Sequence, residues 1–517
     1  MNYKTINIFM MKKRNSILFF ASFIAVLSVA FIFSGCNKDK EWDEHYNKTD
    51  QRLNDNLLTI LKADPDLSTF VGYLQETGYD SLLTYSQSYT VWAPVNSAFD
   101  AVSADTLNDP DLLRVLIGNH LSRFSFATTD VGNGKNVKMY SGKYNLFTGA
   151  SGSYQLASAG LTESDILTQN GILHKVDRVV SVRPNIWDYI RFSGNFPKTI
   201  DYLDTFDIQV FDPYTSIRTG NNTLGQPIYD SSFVYSSTYF DIVGDLNSEE
   251  DRFTYLGLTD AAYDKAYNYF QNFYMHPVAD TTEQNTLKSI FRNLAFPSVS
   301  LTNLPADYIT NTRGNMIKID PSSVTEDVIL SNGHVFVLDS LTCSATDIIY
   351  KPIRYEVEDI SRRTIGNTSR LTITKIYDLA SSGNFKNIVN WVYTAAPGTS
   401  DNYFEVKFSN VLSAKYDVFV KFSPVGASKD TKLTFRLVYS NFTTGTTTVN
   451  TSSKVISKAE DGLVKIGSTE TFPVFINSNK SNTYYVSFRI MLDVSNAELV
   501  LYDRTYGIDY IELVPVP

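Results

Sequence analysis

The stretch TVWAPVNSAF, residues 90–99, and the stretch NGILHKVD, residues 170–177, decide the reading of the N-terminal half of this chain. The first is a β-branched and aromatic run, a strand that Pro94 ends, and Asn96 is placed to cap a new helix. The second is a tight Asn170-Gly171 turn leading into another strand. Upstream, Asp64-Pro65 is a helix start, and Leu67, Phe70, Val71 and Leu74 follow at i, i+3, i+4 and i+7. Gly78 is its stop. Between the two stretches the spacing predicts an apolar helix over 112–121. Short alternating strands from Val137 then turn on Gly142, Gly149 and Gly160. Residues 51–183 therefore read as one α+β domain.

The pattern recurs. Residues 253–263 (FTYLGLTDAAY) align with 89–99, and residues 332–339 (NGHVFVLD) align with 170–177. Asp260 takes the place of Asn96 as cap, and Tyr263 that of Phe99. The opening helix of this copy is expected over 186–206. An insertion over 216–252, carrying Gly220-Asn221-Asn222 and Gly225, reads as a hairpin decoration. Residues 184–345 form this second domain. Residues 350–517 have almost no helical periodicity. Strand-like runs at 355–358, 371–376, 403–408, 416–422, 433–439, 483–491 and 510–514, separated by Ser, Thr, Asn and Gly, predict an antiparallel sandwich.

The two stretches at 90–99 and 170–177 resemble the two signatures of fasciclin domains, with Asn119-His120 where that family usually has Tyr-His. The resemblance implies a wedge-shaped α/β module used for adhesion or binding, without catalytic machinery. His120 and His174 then read as structural, and Leu294 and Phe336 replace them in the degenerate copy. The strand motifs at 355–359 and 507–513 resemble the terminal strands of galactose-binding-like jelly rolls. That resemblance implies carboxylates that can hold a structural calcium, matched by Glu356, Glu358 and Asp509, although ordinary surface or edge carboxylates are the simpler reading. Trp391, Tyr403 and Tyr506 lie near predicted strand ends and are the candidate ligand-binding aromatics, able to stack on sugar rings, although core packing is the simpler reading. The fold class is thus multidomain: two α+β fasciclin-like domains, then an all-β jelly-roll-like sandwich.

The N-terminus carries Lys12, Lys13 and Arg14, then an uncharged stretch over 17–33, then Ser34-Gly35-Cys36. This is the layout of a secretory signal over residues 1–35. The Cys after Ser-Gly resembles a bacterial lipobox, with Phe33 in place of the usual Leu, and implies lipidation of Cys36. An uncleaved transmembrane anchor is the alternative reading. Cleavage would remove Lys4, Lys12, Lys13 and Arg14 and no acidic residue. Residues 36–50 read as a polar tether, spanning roughly 20 Å if flexible.

The 517 residues carry 55 acidic and 45 basic side chains, and no long Lys/Arg run, which argues against a nucleic-acid partner. Two cysteines and five histidines exclude a disulfide scaffold and leave little room for a His-built metal site. Lone Cys343 reads as a small buried hydrophobe. No Gly-x-Ser-x-Gly elbow, His-Glu-x-x-His or Cys-x-x-Cys occurs, and Gly132-Asn133-Gly134-Lys135 lacks phosphate-loop spacing. No catalytic residue, metal or cofactor is expected. By resemblance, the chain is a Bacteroidota-type outer-membrane lipoprotein, at the cell surface or on the periplasmic face. It would be an accessory of glycan or nutrient uptake, whose partners are the membrane, through its lipid anchor, and a glycan or an importer subunit. The alternative is an adhesin.

Overall fold

The computed structural model describes residues 54–85, 87–298, 308–366, 370–378, 384–391, 403–478, 480–481 and 483–517. Cys36 and the whole N-terminal expectation lie outside them. The chain divides into two units, Met1–Val182 and Arg183–Pro517.

In the first unit every residue of the strand Tyr89–Pro94 is buried. It runs parallel to Gly171–Val176, with Tyr89 opposite Gly171, and antiparallel to Leu121–Arg123. The sheet continues through Ala159–Thr168, Ser153–Leu156 and Tyr144–Ala150 to Lys135–Lys138. Because strand side chains alternate, the central strand feeds two cores. Tyr89, Val91 and Ala93 meet Leu57, Phe70, Leu74, Leu113 and Ile117 from the helices. Trp92 meets Val137, Phe147, Leu156 and Val176 from the curled part of the sheet.

Local signals hold with two shifts. Asp64 caps a 3-10 turn, Pro65–Leu67, which leads into the helix Ser68–Glu76. Asn96 does not cap its own segment, which is the 3-10 turn Asn96–Ala101. Its Oδ1 instead accepts from Thr69 N at 2.9 Å, and its Nδ2 donates to Pro65 O at 2.9 Å. It caps the first turn of a helix some thirty residues upstream, a choice that only folding makes available. The expected helix at 112–121 is Pro110–Gly118, started by Asp109 and Pro110.

In the second unit, Phe253–Leu258 runs parallel to Gly333–Leu338, with Phe253 opposite Gly333. The register equals that of the first unit, and Ala295–Pro297 and Val324–Leu330 flank the pair. Thr259, not Asp260, caps the helix Asp260–Phe270, accepting from Ala262 N. The expected opening helix over 186–206 is broken into Ile186–Phe192, Pro197–Leu203 and a 3-10 turn. Gly194 has φ +78° and Pro197 starts a new helix, so the chain cannot run through. The inserted hairpin is longer at its start than its Gly and Asn residues suggested. It is a two-stranded ribbon of Asp207–Asn221 with Pro227–Ser237, followed by the short helix Phe240–Val243.

Among the described residues, the C-terminal region is two six-stranded antiparallel sheets over one core. The strands Lys415–Ser423 and Thr431–Asn441 alternate buried and half-buried residues, as half-covered strands should. Val418, Val420, Phe404, Phe435, Phe488, Ile490 and Ile511 fill the space between the sheets.

Candidate functional site

The two signature histidines are committed to the fold. His120 is fully buried; its Nδ1 donates to Trp92 O at 2.8 Å and its Nε2 accepts from Val180 N at 3.0 Å. Burial pushes its pKa down to about 4. His174 donates from Nε2 to Phe126 O at 2.9 Å and accepts at Nδ1 from Asp165 N at 3.2 Å. Burial again lowers its pKa, and its ring stacks on Trp92. With both nitrogens used by backbone, neither ring has a position left for a substrate.

What these residues do is hold one loop. The Thr90 hydroxyl donates to Phe124 O and accepts from Phe126 N, both at 2.8 Å. Phe124 N donates to Ser88 O at 2.8 Å. The first signature strand and His174 together pin residues 124–126. The result is a bulky residue in an unfavourable conformation: Phe124 has φ +75° and is 71% exposed. Strain kept at an exposed aromatic is a functional pointer.

Phe124 borders a cleft of about 540 Å³ in the first unit. Around it, cations alternate with rings. The Lys135 ammonium lies 4.9 Å from the Phe126 ring centre, Arg123 5.4 Å from Tyr140, and Lys138 5.7 Å from Tyr144. Among the described residues no acidic one lines the cleft. Flat apolar faces beside positive charge suit a ligand that has stackable faces and negative charge. Sequence reading missed this groove, because its residues come from three strands and a loop.

The sandwich candidates are scattered by comparison. Trp391 ends the strand Asn384–Trp391, and its side chain lies outside the described residues. Tyr403 is half-buried and one face is covered by the Arg489 guanidinium, 3.7 Å from the ring centre. Tyr506 takes the core role and not the ligand-binding one: it is 3% exposed and belongs to the inter-sheet core, so it offers no ring face to a sugar.

Glu356 Oε2 and Glu358 Oε2 are buried without a hydrogen-bond partner among the described residues. Burial, with repulsion from Glu358 and Asp509, raises the Glu356 pKa. Among the described residues no three His, Cys, Asp or Glu side chains are grouped as a metal site would group them. Cys343 is buried, and burial with the Asp347 charge pushes its thiol up to about 12.

Residues 65–182 match the family model for the fasciclin domain, and the first unit carries such a domain. The chain is similar to transforming growth factor-beta-induced protein ig-h3 of Sus scrofa, 26% identical over 140 residues, covering 26% of this chain and 20% of that protein. It is also similar to human periostin, 27% identical over 126 residues, covering 23% and 15%. The chain thus spans about a fifth of that ig-h3 protein and less of periostin. Among solved structures, a domain pair from the insect cell adhesion molecule fasciclin I aligns with 55% of this chain and 99% of its own. That alignment has 14% identity and a TM-score of 0.24. A CBM22-2 xylan-binding domain from Paenibacillus barcinonensis aligns with 32% of this chain and 99% of its own, at 7% identity and a TM-score of 0.22. Scores this low define neither a shared ligand nor a shared site.

Proposed function

We propose that this is a non-catalytic binding protein, lipid-anchored through Cys36 at the outer membrane, serving glycan or nutrient uptake. Residues 184–345 act in it as a degenerate second fasciclin-like domain. For that copy the supporting observation is chemical as well as topological. Asn170 accepts from Leu57 N and donates to Leu83 O, while Asn332 accepts from Ile186 N and donates to Leu246 O. The observation that carries the function is the groove beside Phe124, where exposed aromatic surface, cations and backbone strain coincide.

The test separates binding from folding. Phe124→Gly relieves a positive φ, so it should leave stability unchanged or raise it by up to about 1 kcal/mol. The same change, with Lys135→Ala, should weaken binding on a panel of neutral and acidic glycans by about tenfold or more, since one stacking face and one cation are lost. Unchanged panel binding in the double variant would remove the groove from the function.

The anchor has its own test. Cys36→Ala should release the protein from membranes and abolish labelling by a fatty-acid probe. Retention with an intact N-terminus would instead support a transmembrane anchor. Among the described residues no helix is long and apolar enough to cross a membrane.

One observation favours the adhesin as a second reading. The ribbon of Asp207–Asn221 and Pro227–Ser237 exposes Ile217, Leu224, Phe233, Tyr214 at 96% and Tyr235 at 78%. Exposed apolar side chains in such numbers on one ribbon suit contact with another macromolecule.

A further inference from the structure

Within the second unit, residues 272–275 join the helical module to the sandwich. Ser413 N donates to Phe273 O at 2.9 Å, and Met275 N donates to Ser413 Oγ at 2.9 Å. Phe475 N donates to Met275 O at 2.7 Å, and Tyr274 packs edge-on against Phe475, their centres 5.1 Å apart. Phe273 and Ile349 pack against both cores. Backbone bonds and a shared apolar seam therefore fix the two modules against each other.

A cleft of about 610 Å³ opens along this seam. Lys288 and Arg292, one turn apart at the end of the helix Ala279–Phe291, form one wall. Lys351 comes from the chain leading into the sandwich, Arg354 from its strand Ile353–Glu356 and Arg362 from the 3-10 turn Ile360–Arg362, and among the described residues no acidic one lines the cleft. Five cations meet here in a chain whose net charge is −10. Like charges repel, and a concave wall concentrates their field on whatever anion enters.

The cations are held but not used up. Arg354 Nε lies 3.3 Å from Glu512 Oε1, with its guanidinium 3.8 Å above the Tyr510 ring. Arg362 Nε lies 3.3 Å from Asp359 Oδ2. The Arg292 Nε is buried with no hydrogen-bond partner among the described residues. A buried donor left so is costly unless something completes it.

We infer that this seam cleft binds an acidic oligosaccharide, whose carboxylates pair with the arginines and lysines and whose hydroxyls meet neutral donors and acceptors. The inference deepens the binding reading by naming a ligand class at a second site. Asn285, Ser289, Asn410 and Asn477 stand among the cations, which suits hydroxyls between charges. The cations also come from separate chain segments, a spread that suits charges along a chain of sugars better than one compact ion. The volume is that of an ordinary ligand cleft, in the range of about 300–1,000 Å³.

The experiment is calorimetry of the full chain with an oligogalacturonate and with its methyl-esterified, uncharged form. The acid should bind, the ester should not, and affinity should fall as salt rises. Lys288→Ala with Arg292→Ala should weaken binding by about tenfold or more at an unchanged melting temperature. Lys351→Ala, at an exposed position, repeats the test should the double variant fold poorly. Equal binding of the ester, full displacement by equimolar inorganic phosphate, insensitivity to both variants, or no binding of the acid would each overturn the proposal. The Phe124→Gly, Lys135→Ala variant keeps the two sites apart. Acid binding lost there but retained in the seam variants overturns the seam site and leaves the groove reading standing.

Discussion

Gly171→Ala is expected to unfold the first unit. A Cβ at this position would sit 1.9 Å from Tyr89 O and 3.0 Å from Leu57 Cδ1, and Gly171 has φ +155°. The atom it meets is the backbone of the central strand, which cannot swing away as a side chain would. Tyr89 is bonded there on both sides, since its N–H donates to Asn170 O at 3.0 Å and the residue pairs with Gly171. Relief requires separating the parallel pair that carries both cores. Such a change belongs to the exceptional class above about 4–5 kcal/mol, against a total stability of about 5–15 kcal/mol for a domain. Urea unfolding should show the transition of the first unit lost while that of the second persists. Gly333→Ala should do the converse, because its Cβ would lie 1.8 Å from Phe253 O. Gly72→Ala is the control: nothing lies within 4 Å of its Cβ, and alanine should stabilise that helix by about 0.5–1 kcal/mol. A melting temperature for Gly171→Ala within a few degrees of the parent would show that the strand pair yields more easily than this geometry implies.

Acid should destabilise the first unit through His120. Its folded pKa is pushed down from 6.5 to about 4, so the neutral ring is the folded form. For a base with a lowered pKa, the stabilisation is complete above 6.5 and is lost as pH falls through about 4. The shift corresponds to roughly 3 kcal/mol at about 1.4 kcal/mol per pKa unit. His174, lowered for the same reason, adds with the same sign. His120→Leu should cost about 2–4 kcal/mol at pH 7, because Trp92 O and Val180 N lose their shared partner inside the core. It should also flatten the dependence between pH 6.5 and 4, which denaturant titrations at both ends would measure. An equally steep acid limb in the variant would place the sensitivity elsewhere. The second unit has Leu294 at the equivalent place, its carbonyl accepting from Leu256 N as His120 O accepts from Trp92 N. No acid limb arises from that position.

Features carried by short spacing were legible in the sequence. The strand Tyr89–Pro94, the Asn170-Gly171 turn, the capped start at Asp64-Pro65 and the buried alternation of the sandwich strands all depend on residues within a few positions of one another. The recurrence of the two motifs at 253–263 and 332–339 was legible too, and the structure gives Tyr89 with Gly171 and Phe253 with Gly333 the same register. Side-chain destinations were not legible. Asn96 has the chemistry of a cap, and folding alone puts the helix at Ser68 within its reach. Tyr506 has the chemistry of a sugar platform, and the sheet pairing turns it into the core. Phe124 looks like any loop aromatic until Thr90, distant in sequence, fixes its backbone and leaves its ring in solvent. The seam cleft gathers Lys288, Arg292, Lys351, Arg354 and Arg362 from separate segments, none of them a charge run. Periodicity and capping are local energies, so a linear reading reaches them. A binding site is a convergence of side chains across loops and sheets, and only the closed tertiary structure determines which of them meet.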